Sequence, residues 1–251
     1  MTQAYGLQFS GVYDMLWSDF ARNVAPRIER FYTGTSRRAR KNRTLLDLCC
    51  GSGQLAAYFV RRGFEVTGLD LSGPMLDIAR KRVGEVDNSS VRFIEADAAR
   101  FQLDRSYSLV VSTYDALNHL PDLESLRGCL ESVGAATIRG GYFIFDLNTR
   151  QGLKRWNGIT VTDTDTLFVL QRGLYPGASR AYMCFTGFVK EGDNFARFEE
   201  HIYNTVFDLG AVQEMLRDTH WTSSYFARAD DFAAPISEPE REDRVWIVAK
   251  R

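Results

Sequence analysis

Apolar and polar positions change rhythm along this chain, and each change marks a different kind of structure. From residue 10 to 33 apolar groups recur at roughly helical spacing, at Val12, Leu16, Phe20, Val24, Ile28 and Phe31. That spacing predicts one or two helices. The basic stretch SRRARKNR, Ser36 to Arg43, follows as a linker. Short apolar runs then alternate with amphipathic ones. TLLDLC, FEVTGLD, VRFIEAD, YSLVVSTYD and GYFIFDLN read as strands. GQLAAYFVRRG reads as a helix ending at Gly63. GPMLDIARKRVG reads as a helix opened by Pro74 and closed by Gly84. DLESLRGCLESVGAAT reads as a helix with Leu123, Leu126, Leu130 and Val133 on one face. Such alternation predicts a mostly parallel sheet with helices on both faces, an α/β, Rossmann-like doubly wound fold.

The rhythm changes again after Arg150. No helix is expected between Gln151 and Val206. TLFVLQR, RAYMCFTGFVK and FARFEEHIYNTVF read as antiparallel strands, the last two joined by the tight-turn sequence EGDN. DLGAVQEMLRDTHW then reads as a helix capped by Asp208, and TSSYFARADD and DRVWIVAKR as closing strands. The expected organisation is a core of residues 1–150 and 207–251, its residues 1–40 forming a helical lid. An antiparallel β insertion of residues 151–206 is expected to serve as a lid or a dimer contact.

Composition removes several classes of function. With 31 Lys and Arg against 32 Asp and Glu, the net charge is -1, so nothing draws the chain as a whole to nucleic acid or anionic lipid. Its one basic cluster, Ser36 to Arg43, reads as a solvated face. No apolar run approaches the roughly 18 residues of a membrane span. The N-terminal stretch has no basic and apolar secretory regions, so the cytoplasm is the expected compartment. The cysteines, Cys49, Cys50, Cys129 and Cys184, form no C-x-x-C pair, and only three histidines are present. Neither a metal site nor a disulfide framework is expected.

The chemistry concentrates in TLLDLCCGSGQLA, Thr44 to Ala56. An apolar strand ends, and Gly51 and Gly53 then let the backbone turn sharply and approach a ligand at the helix N-terminus. The next strand ends in Asp70, near the offset at which an acid holds ribose hydroxyls. An adenosine-containing ligand follows. GSGQLA also satisfies the G-x-G-x-x-A dinucleotide pattern, which keeps an NAD(P)-dependent oxidoreductase open as an alternative. Asp47 discriminates: an acid beside the loop repels a pyrophosphate but suits a cation.

LLDLCCGSG, GLDLSGPMLDIAR, FIEADAARF and STYDALNHL resemble, in order and spacing, the four motifs of class I S-adenosylmethionine-dependent methyltransferases. The resemblance spans roughly Leu45 to Asn148. It implies that S-adenosylmethionine lies with its methionine part near Asp47, Gly51 and Gly53. It places the ribose at Asp70, the adenine between Leu71 and Met75, and the adenine amino group at Asp97 beside the Ala98 amide. Tyr13, with Asp14 in YDML, resembles the lid tyrosine of small-molecule members. His119 and Tyr114, from YDALNHL, are the implied catalytic candidates, with Asn118 beside them. Asn148 and Arg150, from FDLNTR, are candidates for acceptor binding. GFVKEGDNFARFEEHIYN is similar to the extra β-domain of a bacterial methyltransferase subfamily, and its His201 and Tyr203 are further acceptor candidates. Cys49 stands where the family's first loop glycine is usual, a departure that a strand-like conformation at that residue would accommodate. The implied activity is methyl transfer to nitrogen or oxygen of a small-molecule acceptor by a monomer or homodimer. A cofactor-binding regulatory or assembly protein is the non-catalytic alternative.

Overall fold

The computed structural model describes residues 5–84 and 90–251; residues 1–4 of the expected lid lie outside them. Two helices open the chain, α1 (Leu7–Trp17) and α2 (Asp19–Thr35). The expected basic linker contains a short helix, α3 (Arg37–Lys41). Its start is fixed by Ser36, whose side chain accepts a hydrogen bond from the Ala39 amide. The alternating section follows as β1 (Thr44–Leu48), α4 (Gln54–Arg61), β2 (Glu65–Asp70), α5 (Gly73–Gly84), β3 (Val91–Glu95), β4 (Tyr107–Ser112), α6 (Leu123–Ala136) and β5 (Thr137–Asn148). α7 (Arg150–Leu153) and a 3-10 turn (Lys154–Trp156) break the expectation of no helix after Gln151. The side chain of Thr149 caps α7. β6 (Gly158–Asp163), β7 (Leu167–Leu174), β8 (Arg180–Glu191) and β9 (Asn194–Thr205) form a second sheet. The chain closes with α8 (Leu209–Arg217), β10 (Ser223–Ala227) and β11 (Arg244–Lys250).

The first sheet has seven strands in the order β10-β11-β5-β4-β1-β2-β3. β3, β2, β1, β4 and β5 run parallel, and β11 is antiparallel between β5 and β10. The mostly parallel doubly wound fold is therefore present. One core packs α6 and α8 on the sheet through residues such as Leu130, Val212 and Phe145. The other packs α2 and α4 on the opposite face through Ile28, Phe59 and Trp246. Leu123 departs from the expected apolar face: it is exposed at the first turn of α6, just after the capping Asp122. The chain order reverses between β1 and β4, so the carboxyl ends of these strands frame a crevice where ligands of such folds bind.

The second sheet is antiparallel, in the order β6-β7-β8-β9. β8 and β9 join through Gly192 and Asp193, with Gly192 at φ 63 in the tight turn. Alternation puts Leu167, Val169, Phe185 and Phe198 on its inner face, packed on Phe9 and Val12 of α1. β6 was not expected; Ile159 and Val161 leave it exposed, so burial does not impose a clear pattern on it. No described helix is long and apolar enough to cross a membrane.

Candidate active site

The ends of β1, β2 and β4 bring the chemistry together. Gly51 turns the chain at φ 51, and its amide donates to Asp70 Oδ2 at 2.7 Å. The other Asp70 oxygen accepts from the Ser72 amide at 2.9 Å. Gly53 sits at φ 76 where α4 starts, and a Cβ there would lie 2.8 Å from the Ala79 Cβ. Its lack of a side chain lets α4 and α5 approach. Cys49 is not strand-like: its φ is 58, a left-handed conformation that costs a side-chain residue about 1–2 kcal/mol. A cleft of about 770 Å³, mouth included, is lined by Tyr13, Cys49, Gly51, Asp70, Leu71, Met75, Asp97, Ala98, Tyr114 and His119, among others. Asp47 borders a smaller hollow beside it, shared with Tyr13, Cys49, Gly51 and Tyr114.

A second cleft of about 720 Å³ adjoins the first and shares Tyr5, Tyr13, Tyr114 and His119 with it. α1 and the inner face of the second sheet supply its apolar wall, including Phe9, Trp17 and Phe185; Asn148, Asp115 and Arg244 supply polar groups. Between the clefts the backbone is strained, with Tyr114 at φ 68 and Asp115 at φ 49. Asp146 holds that turn. One of its carboxylate oxygens accepts from the Tyr114 amide at 2.7 Å and the other from the Asp115 amide at 2.8 Å. Arg244 bridges Asp146 and Asp115, 2.6 Å from the latter. Its guanidinium lies 4.9 Å from the centre of the Phe20 ring and 5.3 Å from that of Tyr114. Burial depresses the His119 imidazole to about 4, so it is neutral at physiological pH.

Residues 45–141 match the family model described as a methyltransferase domain. The fold and motifs agree with it. The domain is that of a class I S-adenosylmethionine-dependent methyltransferase. The chain is 26% identical to YqeM of Bacillus subtilis (strain 168), named as a methyltransferase, over 69% of this chain and 71% of that protein. It is 26% identical to the dTDP-3-amino-3,4,6-trideoxy-alpha-D-glucopyranose N,N-dimethyltransferase of Streptomyces venezuelae, over 57% of this chain and 58% of that one. A crystal structure of an S-adenosylmethionine-dependent methyltransferase from Clostridium acetobutylicum ATCC 824 superposes with a TM-score of 0.74 at 21% identity, covering 97% of both chains. The CcbJ methyltransferase of Streptomyces caelestis gives a TM-score of 0.74 at 20% identity, covering 100% of this chain and 98% of that one. These structural likenesses show the fold.

The residues present in this methyltransferase fit its cofactor, S-adenosylmethionine. Asp47 Oδ2 is buried without a hydrogen-bond partner among the described residues. Burial raises the Asp47 carboxyl to about 8. An acid with one buried oxygen lacking a partner suits a cation, which draws off its proton, and gains nothing from a pyrophosphate. Burial also raises Asp70, whose place at the end of β2 suits ribose hydroxyls in either class of ligand.

Not every expected site residue reaches the clefts. Asn148 lines the second, where its side chain also donates to Asn204 Oδ1 at 2.9 Å. Arg150 points away, donating to the Tyr175 hydroxyl and the Gly177 carbonyl. His201 and Tyr203 line neither cleft; the inward residue of that strand is Ile202. His201 is exposed on the outer face, 2.9 Å from Glu199 and 3.8 Å from Cys184. Arg172 and Arg197 flank that cluster and donate to Cys184 and Glu199. Tyr203 lies under the Arg180 guanidinium at 4.4 Å. The period of two in β9 put either alternate set inward, and nothing in FARFEEHIYN distinguished them.

Several site residues carried no local signal. Asp115, Asp146 and Arg244 meet only through the pairing of β5 with β11, where Trp246 lies opposite Asp146. Tyr5 places its hydroxyl 3.5 Å from His119 Nε2. Asp14 takes two short contacts, 2.7 and 2.6 Å, from Arg82, which also donates to the Ser52 carbonyl at 2.9 Å. That clamp ties α1 to the glycine loop. A carboxylate one residue after the lid tyrosine was the only available clue to it.

Proposed function

We propose that this chain transfers a methyl group from S-adenosylmethionine to an amine nitrogen of a small-molecule acceptor. The reading rests on one observation: the cleft that holds Asp70, with Asp47 in the hollow beside it, opens, across a shared wall of Tyr5, Tyr13, Tyr114 and His119, into a second cleft. Asp47 takes the amino group of the methionine part, close to the Gly51 turn. Asp70 holds the ribose hydroxyls, Leu71 and Met75 flank the adenine, and Asp97 accepts from its amino group beside the Ala98 amide. Tyr13 on α1 closes over the cofactor. When bound, S-adenosylmethionine supplies a methyl group on a sulfonium, which departs as a neutral thioether.

The chain's own contribution is positioning and exclusion of water. α1 and the inner face of the second sheet cover the acceptor, which gives the inserted sheet its role as a lid. An imidazole held near 4 does not remove a proton from an ammonium at neutral pH. His119 instead accepts a hydrogen bond from the neutral amine and turns its lone pair toward the methyl group. Tyr114 sets the other side of the passage. Nitrogen is favoured over oxygen because the neutral form of an amine attacks without a further deprotonation, whereas an alcohol needs a base and the His119 imidazole is held near 4. The relatives named for transfer to amino sugars support the same atom.

The test is incubation with S-adenosylmethionine carrying a labelled methyl group and paired amine and alcohol acceptors, followed by mass spectrometry. Labelled N-methyl product, reduced at least tenfold in kcat by His119→Asn, supports the reading. Full turnover by that variant removes His119 from the mechanism.

A further inference from the structure

The second cleft carries more information about its occupant than the fold does. Its walls are mostly rings: Phe9, Trp17, Tyr114, Trp156 and Phe185 face it together with Met183. Phe9 and Phe185 lie 4.8 Å apart, centre to centre, and Trp17 lies 5.4 Å from Phe185. Among the described lining residues its one permanent cation is Arg244. That guanidinium is already spent: it bridges Asp115 and Asp146 and lies close to the Phe20 and Tyr114 rings. Asp115 pairs with Arg244 at the polar end of the cleft while Asp146 lies behind the pair, burial raises both carboxyls, and burial keeps the His119 beside them uncharged, so the described lining offers no free charge.

We propose that the acceptor is an amine on a flat, apolar, aromatic-type body, and that the cleft selects it over the nucleotide-linked amino sugars named for two relatives. This rests on the reading of the first cleft as the S-adenosylmethionine site. Aromatic faces attract an ammonium as it enters, its proton passes to solvent before the neutral amine reacts, and a ring body buries its faces against Phe9, Trp17 and Phe185. A nucleotide diphosphate asks for free cations with bidentate donors, and the described lining offers none. A sugar body covers less of those ring faces than a flat ring does.

The test uses the protein loaded with S-adenosylhomocysteine and calorimetric titration with 2-phenylethylamine, 2-phenylethanol, glucosamine and dTDP. The expected order is 2-phenylethylamine tightest, 2-phenylethanol weaker by about tenfold for want of the charge, and glucosamine and dTDP weaker still. Trp156→Ala, whose side chain lines only the second cleft, weakens 2-phenylethylamine at least fivefold and leaves S-adenosylhomocysteine affinity unchanged. The conservative Trp156→Phe restores most of the loss. Tighter binding of dTDP or glucosamine than of 2-phenylethylamine overturns the proposal alone. So does 2-phenylethylamine binding that is indifferent to Trp156→Ala. Failure to bind S-adenosylhomocysteine overturns the reading beneath it as well.

Discussion

Asp146→Asn isolates the device that holds the passage between the two clefts. Asp146 is 1% exposed and lies near the end of β5, where its two oxygens take the amides of Tyr114 and Asp115 and also face Arg244. Both amides belong to residues with positive φ, each costing about 1–2 kcal/mol, so the carboxylate restrains about 2–4 kcal/mol of backbone strain. Asparagine keeps the shape but has one acceptor oxygen. Its amide nitrogen must face a peptide N–H or the guanidinium, both donors. At least one charge-assisted hydrogen bond is lost, worth about 1.5–3 kcal/mol. Arg244 keeps only Asp115 as a charged partner. The expected destabilisation is about 2–4 kcal/mol, read as a lower urea midpoint at unchanged slope. The turn then relaxes and Tyr114 leaves its stack on Phe20, whose ring centre is 4.4 Å away. S-adenosylhomocysteine affinity, measured on the folded variant, falls about tenfold, a loss of about 1.4 kcal/mol. A variant within about 0.5 kcal/mol of the parent, as for an ordinary surface change, and with unchanged affinity, refutes the strained-turn argument.

Other expectations follow from single residues. Cys49→Gly removes a strained φ of 58 but adds freedom to the unfolded chain, so its thermal midpoint stays near the parent's. Cys49→Val puts a β-branched residue at that angle and loses about 2 kcal/mol or more on urea unfolding. Gly53→Ala meets both a φ of 76 and the Ala79 Cβ at 2.8 Å, and loses at least about 2 kcal/mol by the same assay. His119 sits near 4 in the folded chain against about 6.5 when unfolded. As pH falls below about 6.5 the unfolded chain takes up this proton first, and about 3 kcal/mol of stability is lost by pH 4. Urea midpoints of His119→Asn should decline less over that window, and an equal decline contradicts the burial of a neutral imidazole. Asp47 near 8 holds a proton in the free protein at pH 7. Seating a cation beside it releases up to about one proton, seen as a buffer-dependent enthalpy in Tris against phosphate, and Asp47→Asn abolishes the dependence.

The parallel core was legible because its signals are local and mutually consistent. TLLDL, EVTGLD and YSLVVS are apolar runs of strand length, and Gly51, Gly53 and Pro74 punctuate them where the helices begin. Asp122 and Asp208 cap their helices through side-chain oxygens, as a cap residue before an apolar run suggests. The four motifs carried the family. What stayed hidden needed tertiary pairing. The Asp115–Arg244 contact spans 129 positions, and no spacing rule reaches that far. Tyr114 and Asp115 take left-handed backbone only because Asp146 and Arg244 compel them, so propensity gave no sign of the turn. The same holds for Cys49, whose angle is set by the glycine loop around it. In β9 the alternation was visible but its phase was not, and His201 and Tyr203 proved to face outward while Ile202 faced the cleft. Arg150 was read toward the cleft from its place after β5, yet α7 carries it to Tyr175.

The central claim is that the cleft at Asp70, with the Asp47 hollow beside it, holds S-adenosylmethionine. Calorimetric titration of the purified protein with S-adenosylmethionine, S-adenosylhomocysteine, NAD and NADP tests it most directly, with Asp70→Ala titrated alongside and its fold checked by circular dichroism. The account predicts saturable one-to-one binding of the first two, no measurable binding of the nucleotides, and loss of binding in the folded variant. Tight binding of NAD or NADP with none of S-adenosylmethionine would contradict it and return the glycine loop to the dinucleotide reading.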